Sequence, residues 1–281
     1  PDSLELERYY KESYSRRRSL YFNEKYYALM ERRSQAQIGF INKCLQESGF
    51  RENYHEWEIV DFGCGIGALV AMLQRSGVKY VIGYDIDPEA VNFGHKRWSA
   101  NIAIGTLDDL LKRHGQFNLL ILSHIIEHLP DIQQTLLKLF QTVKQGGWVF
   151  IEVPNCFQEM FTADMDPESH LHFFSRQSLT LLLNHLGASV ISCSCCGPPY
   201  PQSNQRDVSG LNNIASKLFR FLELQPKRII QRIQGNTGKV RTIYDGFYDH
   251  YPSDENGLWL RCLARISHDP FPSFGGNNLE P

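Results

Sequence analysis

From Trp57 onward, short apolar runs alternate with amphipathic segments, and that alternation restricts the chain to helices packed around a mostly parallel sheet. Strands are predicted at 58–62, 80–84, 102–104, 118–122 and 148–153. Helices fill the gaps at about 68–76, 88–99, 107–113 and 131–144, the last read as closed by Gly146-Gly147. Crossovers of this length make right-handed strand–helix–strand units. A further helix at about 176–186 and a strand at 188–195 follow, and 258–266 reads as the final strand. Ahead of the sheet, Leu20, Tyr27, Leu29, Met30, Ile38, Ile41 and Leu45 recur at three- and four-residue spacings, which predicts one or two helices within 5–48. The chain therefore divides into a helical segment 1–54 that serves as lid or substrate cover, a core 55–196, a partly helical insertion 197–256, the last core strand 257–268 and a tail 269–281. Gly, Asn and Pro make the tail read as disordered.

Composition narrows the function. Lys and Arg number 29 against 31 Asp and Glu, so the formal net charge of -2 offers no general attraction to nucleic acid or anionic lipid. The basic stretch holding Lys217, Arg220, Lys227, Arg228, Arg232, Lys239 and Arg241 reads first as a solvated helix face, and second as a contact for an anionic substrate. Seven cysteines, three of them crowded at Cys193, Cys195 and Cys196, show no paired C-x2-C spacing; they read as buried thiols of a reducing cytoplasm. No apolar run approaches the roughly 18 residues of a membrane helix. A soluble, cytoplasmic protein acting on a small partner is the expectation.

The chemistry concentrates where strands end. Residues 59–67 place Gly63, Gly65 and Gly67 at a strand-to-helix turn, where backbone without β-carbons can pass close to a ligand and helix amides point toward it. Gly63, Gly65 and Ala68 also fit the dinucleotide fingerprint G-x-G-x-x-A, which keeps a nicotinamide or flavin enzyme open. Asp61, two residues earlier, is suited to a cationic ammonium and would repel a pyrophosphate. Asp85, closing the next strand, is placed to accept from both hydroxyls of a ribose, while Asp87 reads as the cap of the helix that starts at Pro88.

Taken as a set, 60–67, 83–87, 117–121, 125–130, Gly146-Gly147 and 170–175 resemble the class I S-adenosylmethionine-dependent methyltransferases, and more narrowly the group related to ubiquinone-biosynthesis O-methyltransferases. The resemblance covers about 55–196, with 258–266 as the antiparallel last strand. It implies a Rossmann-like α/β fold: a doubly wound sheet of seven strands. It further implies that Asp61, Gly63, Gly65 and Gly67 line the methionine part of S-adenosylmethionine, that Asp85 holds the ribose and that Ile86 packs on the adenine. Leu107 or Asp108 flanks the adenine amino group, and Ser123 lies near the sulfonium.

Methyl transfer from a sulfonium is an in-line displacement that mainly requires alignment, but an alcohol acceptor must also lose a proton. His124, His128, His170 and His172 are the candidate bases, the first three preferred as catalytic residues. Set against this, Glu127 and His128 can merely stitch the turn to the sheet, and His172, beside Phe173-Phe174, reads as a satisfied half-buried histidine. The small-RNA 2′-O-methyltransferases hold a divalent cation with two glutamates and a histidine in this turn plus a downstream histidine. Glu127, His128 and His170 match that pattern, whereas His124 stands where the first glutamate belongs, so no metal ligand is assigned. Tyr9, Tyr10, Tyr14, Tyr21, Tyr26 and Tyr27 could cover a site or a partner, and the excursion ending in Tyr244, Phe247, Tyr248 and Tyr251 is long enough for a lid or the contact of a homodimer. The expected activity is methylation of a hydroxyl, or in second place a nitrogen or carbon, of a small molecule or glycan. The alternatives are a metal-dependent RNA ribose 2′-O-methyltransferase and a non-catalytic scaffold that binds S-adenosylmethionine.

Overall fold

The computed structural model describes residues 23–50, 53–113, 116–156, 170–199 and 257–267. Tyr9, Tyr10, Tyr14, Tyr21, the basic stretch 217–241, the aromatic residues 244–251 and the tail lie outside the described residues.

One α-helix, α1 (Glu24–Glu47), and a short 3-10 turn at Tyr54–Glu56 precede the sheet in the described residues. Tyr27, Ser34, Gln37, Phe40, Ile41, Cys44 and Leu45 recur at helical spacing and are its buried face. Then come β1 (Glu58–Phe62), α2 (Ala68–Arg75), β2 (Tyr80–Asp85), α3 (Pro88–Trp98), β3 (Ile102–Ile104), α4 (Leu107–Leu111), β4 (Phe117–Ser123), α5 (Ile132–Phe140), β5 (Val143–Pro154), α6 (Arg176–His185), β6 (Ala188–Pro199) and β7 (Gly257–Ile266). The seven strands form one sheet in the order β3-β2-β1-β4-β5-β7-β6. All pairings are parallel except those of β7, which runs antiparallel to both β5 and β6. This is the Rossmann-like doubly wound sheet with an antiparallel last strand that the resemblance implies.

The central strands are rich in apolar residues because both faces are covered. On one face α1, α2 and α3 pack over Ile59, Val81, Leu119, Ile121, Trp148, Phe150 and Leu263, with Phe40 of α1 meeting Phe150 at a ring separation of 6.0 Å. On the other, Leu110 of α4, Leu136 and Leu139 of α5 and Leu179 and Leu183 of α6 cover Val60, Leu120, Leu122, Val149 and Leu260. Burying each such aliphatic chain contributes about 1.5–3 kcal/mol. None of the seven cysteines, all described, is in a disulfide. No helix among the described residues is long and apolar enough to cross a membrane.

One expectation is corrected. The helix read as 131–144 ends at Phe140, and Gly146-Gly147 is not its stop but lies inside β5. Val143 pairs with Phe117 and Trp148 with Leu119, so the strand bulges between them. Gly146 takes φ +70 in that bulge, and a β-carbon on Gly147 would lie 2.6 Å from Val143 Cγ1. The glycines therefore answer to a β-bulge.

β1 is the switch point, flanked by β2 on one side and β4 on the other, so the loops leaving β1 and β4 diverge to opposite faces. The crevice they leave at the carboxyl edge is where ligands of such sheets bind.

Candidate functional site

Asp61 sits near the end of β1, 3% exposed, between Gly83 and Ile121 of the flanking strands. Its Oδ1 has no hydrogen-bond partner among the described residues. Burial pushes the carboxyl up to about 7, Asp85 adds to the rise and Arg33 opposes it. The turn beyond is sewn to β2, since Gly63 N and Cys64 N both donate to the Tyr84 carbonyl, at 2.8 and 3.0 Å. Gly63 takes φ +76, and a β-carbon on it would come within 1.9 Å of Ile125 Cδ1. Glycine is required there on both counts. Gly65 and Gly67 also have positive φ.

Asp85 and Asp87 divide their work. Asp85 accepts from Gly65 N through Oδ2 (2.6 Å) and from Asp87 N through Oδ1 (2.9 Å), bracing the glycine turn against the end of β2. Asp87 accepts from Glu89 N and Ala90 N, capping α3 ahead of Pro88. Between them Ile86 is 40% exposed, beside Ile104 at 62%, which pairs with Asp85 across the sheet. Leu107 and Asp108 open α4 just past this apolar step, Leu107 half-buried and Asp108 exposed. Asp109, not Asp108, closes the capping box with Thr106.

Across the switch point, β4 ends at Ser123, whose Oγ accepts from Arg33 Nη2 (2.8 Å) and Gln37 Nε2 (2.9 Å) of α1. His124 adopts φ +55, a left-handed conformation rare for a residue with a β-carbon. It is held there by its N–H donating to the Glu152 carbonyl at 2.7 Å and by its ring standing edge-on to Trp259 at 4.8 Å. Its Nδ1 lies 3.1 Å from Glu127 Oε1 and its Nε2 3.5 Å from Glu152 Oε1.

The fully buried Glu127 has two jobs. Its carbonyl accepts from Leu171 N and His172 N, which ties the later loop to this turn. Its carboxylate faces imidazoles, with His128 Nε2 at 3.9 Å and the His128 and His170 rings 4.9 Å apart. Burial acts to raise the Glu127 carboxyl, but His124 and His128 outweigh it and hold it below its ordinary value. Burial and the neighbouring His128 lower His170 to about 4, so its ring is neutral at pH 7. Donor atoms of Glu127, His128 and His170 all lie within 4.8 Å of one another, a spacing that could hold a cation. His172 is apart from this group, its Nε2 2.7 Å from the Leu129 carbonyl.

The structure adds residues that sequence reading passed over. Glu152, near the end of β5 in its buried apolar half, accepts from Arg33 Nε (2.8 Å) and Gln37 Nε2 (3.1 Å) at Oε1 and from Arg261 Nε (2.5 Å) at Oε2. Burial would raise this carboxyl, yet Arg33, Arg261 and His124 together hold it well below the usual range. A signal existed: Glu152 and Arg261, charges of opposite sign, each interrupt a buried apolar run of their strand, and such charges need partners.

Comparison with known proteins agrees with this arrangement. A family model described as a methyltransferase domain matches residues 16–193, more than half of the chain. Ubiquinone biosynthesis O-methyltransferase of Yersinia pestis (strain Pestoides F) is 26% identical over 121 residues, 41% of this chain and 48% of that protein. The same figures hold for the protein of that name from Yersinia pseudotuberculosis serotype O:1b. The chain thus spans about half the length of the curated relatives it matches. Among solved structures, a SAM-dependent methyltransferase from Thermotoga maritima is 14% identical with a TM-score of 0.52, covering 89% of this chain and 97% of that one. Magnesium protoporphyrin IX methyltransferase from Synechocystis PCC 6803, solved with bound SAH, is 16% identical with a TM-score of 0.51, covering 68% and 92%. Fold and family define the class I S-adenosylmethionine-dependent methyltransferases, and the chain belongs to the methyltransferase domain family.

The cofactor of that family is S-adenosylmethionine, and the residues at this edge fit it. An orphaned buried carboxylate oxygen at Asp61 suits an ammonium, and the exposed Ile86 offers an apolar face to a base. Asp85→Ala is expected to weaken S-adenosylhomocysteine binding by about tenfold to a hundredfold, the scale of hydrogen bonds to a charged group. Calorimetry measures this, and unchanged affinity would remove Asp85 from the site.

Proposed function

We propose that the chain transfers the methyl group of S-adenosylmethionine to a hydroxyl of a small molecule or glycan. The observation that supports this most is the meeting, at one sheet edge, of a cation-seeking carboxylate at Asp61 with the Glu127 and histidine cluster beyond β4. When bound, the cofactor supplies an electrophilic methyl on a positively charged sulfur. Asp61, Gly63, Gly65, Gly67 and Asp85 hold its methionine and ribose, while Ile86, Leu107 and Asp108 border its base. Ser123 and His124 flank the reacting end. His128 takes the acceptor's hydroxyl proton, and the ionised Glu127 beside it stabilises the imidazolium that results. His170, neutral at working pH, orients the acceptor through a hydrogen bond. The name of the Yersinia relatives favours oxygen as the acceptor atom.

A second reading has one specific observation behind it. The mutual spacing of Glu127, His128 and His170 suits a metal ion, and two imidazoles with one carboxylate favour zinc-like over magnesium-like ions. One assay series separates the readings. Incubation with radiolabelled donor and extract fractions identifies the product, and His128→Ala and His170→Ala are expected to slow turnover about a hundredfold or more while leaving S-adenosylhomocysteine affinity unchanged. Wild-type rates in both variants would return these histidines to a structural role. Inhibition by a chelator, reversed by added zinc, would favour the metal; indifference to chelator favours His128 acting as a base.

A further inference from the structure

Arg33 and Arg261 both pair with the one carboxylate of Glu152. Arg261 is completely buried, and although its Nε donates to Glu152, its Nη1 and Nη2 have no hydrogen-bond partner among the described residues. Cys196, which lies within the field of Arg261, supplies no negative charge, since burial pushes that thiol up to about 12. Leaving donors of a charged group buried and unpaired costs more than leaving neutral ones, so these atoms call for an anionic acceptor.

Their place in the fold says which one. Ser123 pairs with Glu152 in the sheet and Glu152 with Arg261, so the guanidinium stands two strands from the end of β4, on the face covered by α1. Arg33 spans the gap by donating to both Ser123 and Glu152, and with a side chain 20% exposed it is where the cluster meets solvent. We propose that the methyl acceptor is an anion, and that Nη1 and Nη2 of Arg261, with Arg33 at the mouth, bind its carboxylate or phosphate oxygens. This assignment rests on reading the same edge as the methyl-transfer site. A guanidinium presents its donors as a planar fork that matches such oxygens in pairs, and Glu152 occupies the Nε side, leaving the Nη fork for the ligand. Anchored there, the acceptor has its hydroxyl directed toward the histidine turn, and an uncharged analogue lacks the anchor.

The test titrates the full chain, loaded with S-adenosylhomocysteine, with sodium benzoate and separately with inorganic phosphate, followed by calorimetry. Saturable binding of either is expected, and the stronger of the two identifies the oxygen group. Arg261→Lys keeps a charge opposite Glu152 but loses the fork, and is expected to weaken anion binding about tenfold or more with S-adenosylhomocysteine affinity unchanged. The paired variant Arg261→Met with Glu152→Leu removes both charges together, guarding against a folding failure, and is expected to abolish anion binding. Label transferred from radioactive donor to extract should be recovered in products retained by an anion exchanger. Absence of benzoate and phosphate binding by the unmodified chain, equal binding by Arg261→Lys, or label only in uncharged products would each overturn the assignment. Retained anion binding with no methyl transfer to any fraction would instead count against the methyl-transfer reading while supporting the anion site.

Discussion

At pH 8 the Asp61→Asn variant is expected to melt above the unmodified protein when no ligand is present, and to gain almost nothing from added S-adenosylmethionine. The Asp61 carboxyl is raised from an ordinary 3.8 to about 7, by burial first and by Asp85 second, with Arg33 opposing. The folded chain therefore holds this proton more tightly than the unfolded one. The stability that results is complete below about pH 4 and is lost as pH rises through 7. An amide cannot ionise and escapes the loss, which has an upper limit of about 4 kcal/mol, or roughly 4 to 10 °C in the melting midpoint. With the proposed placement of the cofactor's ammonium at Asp61, binding would favour the ionised carboxylate and should expel a proton. Affinity should accordingly fall below pH 7, by at most about tenfold per pH unit. Asparagine should bind about 10²- to 10³-fold more weakly at pH 8, the scale of losing one partner of a buried charge pair, and with no pH dependence. Calorimetry in two buffers of different ionisation enthalpy counts the released proton. Affinity independent of pH, with no release, would place the ammonium elsewhere.

Removing Glu152 should damage the fold more than any substitution in the glycine turn. Glu152→Ala leaves Arg261 buried without a counter-charge and leaves Arg33 and Gln37 with Ser123 Oγ but without the carboxylate that helps dock α1 onto the sheet. Breaking a buried ion pair from one side costs about 3–5 kcal/mol, a large share of the 5–15 kcal/mol that holds most domains folded. Replacing the pair together, Glu152→Leu with Arg261→Met, should recover much of that loss, because the fully buried guanidinium leaves with its counter-charge while Arg33 keeps Ser123 Oγ as an acceptor and reaches solvent. Urea midpoints of the three proteins decide the matter. A single-variant loss below about 1 kcal/mol would mean that water or another group already shares the charge.

What the sequence discloses depends on how local each cause is. β1 and β3 are legible to the residue because each is a short run carrying β-branched residues that stops at a glycine, Gly63 or Gly105. The turn after β1 is legible because positive φ leaves a mark in glycine. The start of β5 is not, since Gly146-Gly147 serves a helix stop and a β-bulge equally well, and only the pairing of Val143 with Phe117 chooses. Least legible is the cluster around Glu152, whose partners Arg33 and Arg261 lie 119 and 109 residues away in the chain. Each charge is visible alone, but which charges meet is a matter of sheet register, and register is not written in any one segment.

β7 is last to leave the ribosome among the described elements, yet it is an interior strand of the sheet, wedged between β5 and β6. Until Gly257–Ile266 arrives, β5 presents an open edge and β6 has no neighbour to pair with, so a growing chain carries two unsatisfied strand borders at once. Arg261 travels on that strand. The nascent protein can thus assemble its glycine turn and histidine cluster early, but it keeps the buried carboxylate of Glu152 short of one counter-charge until β7 has emerged.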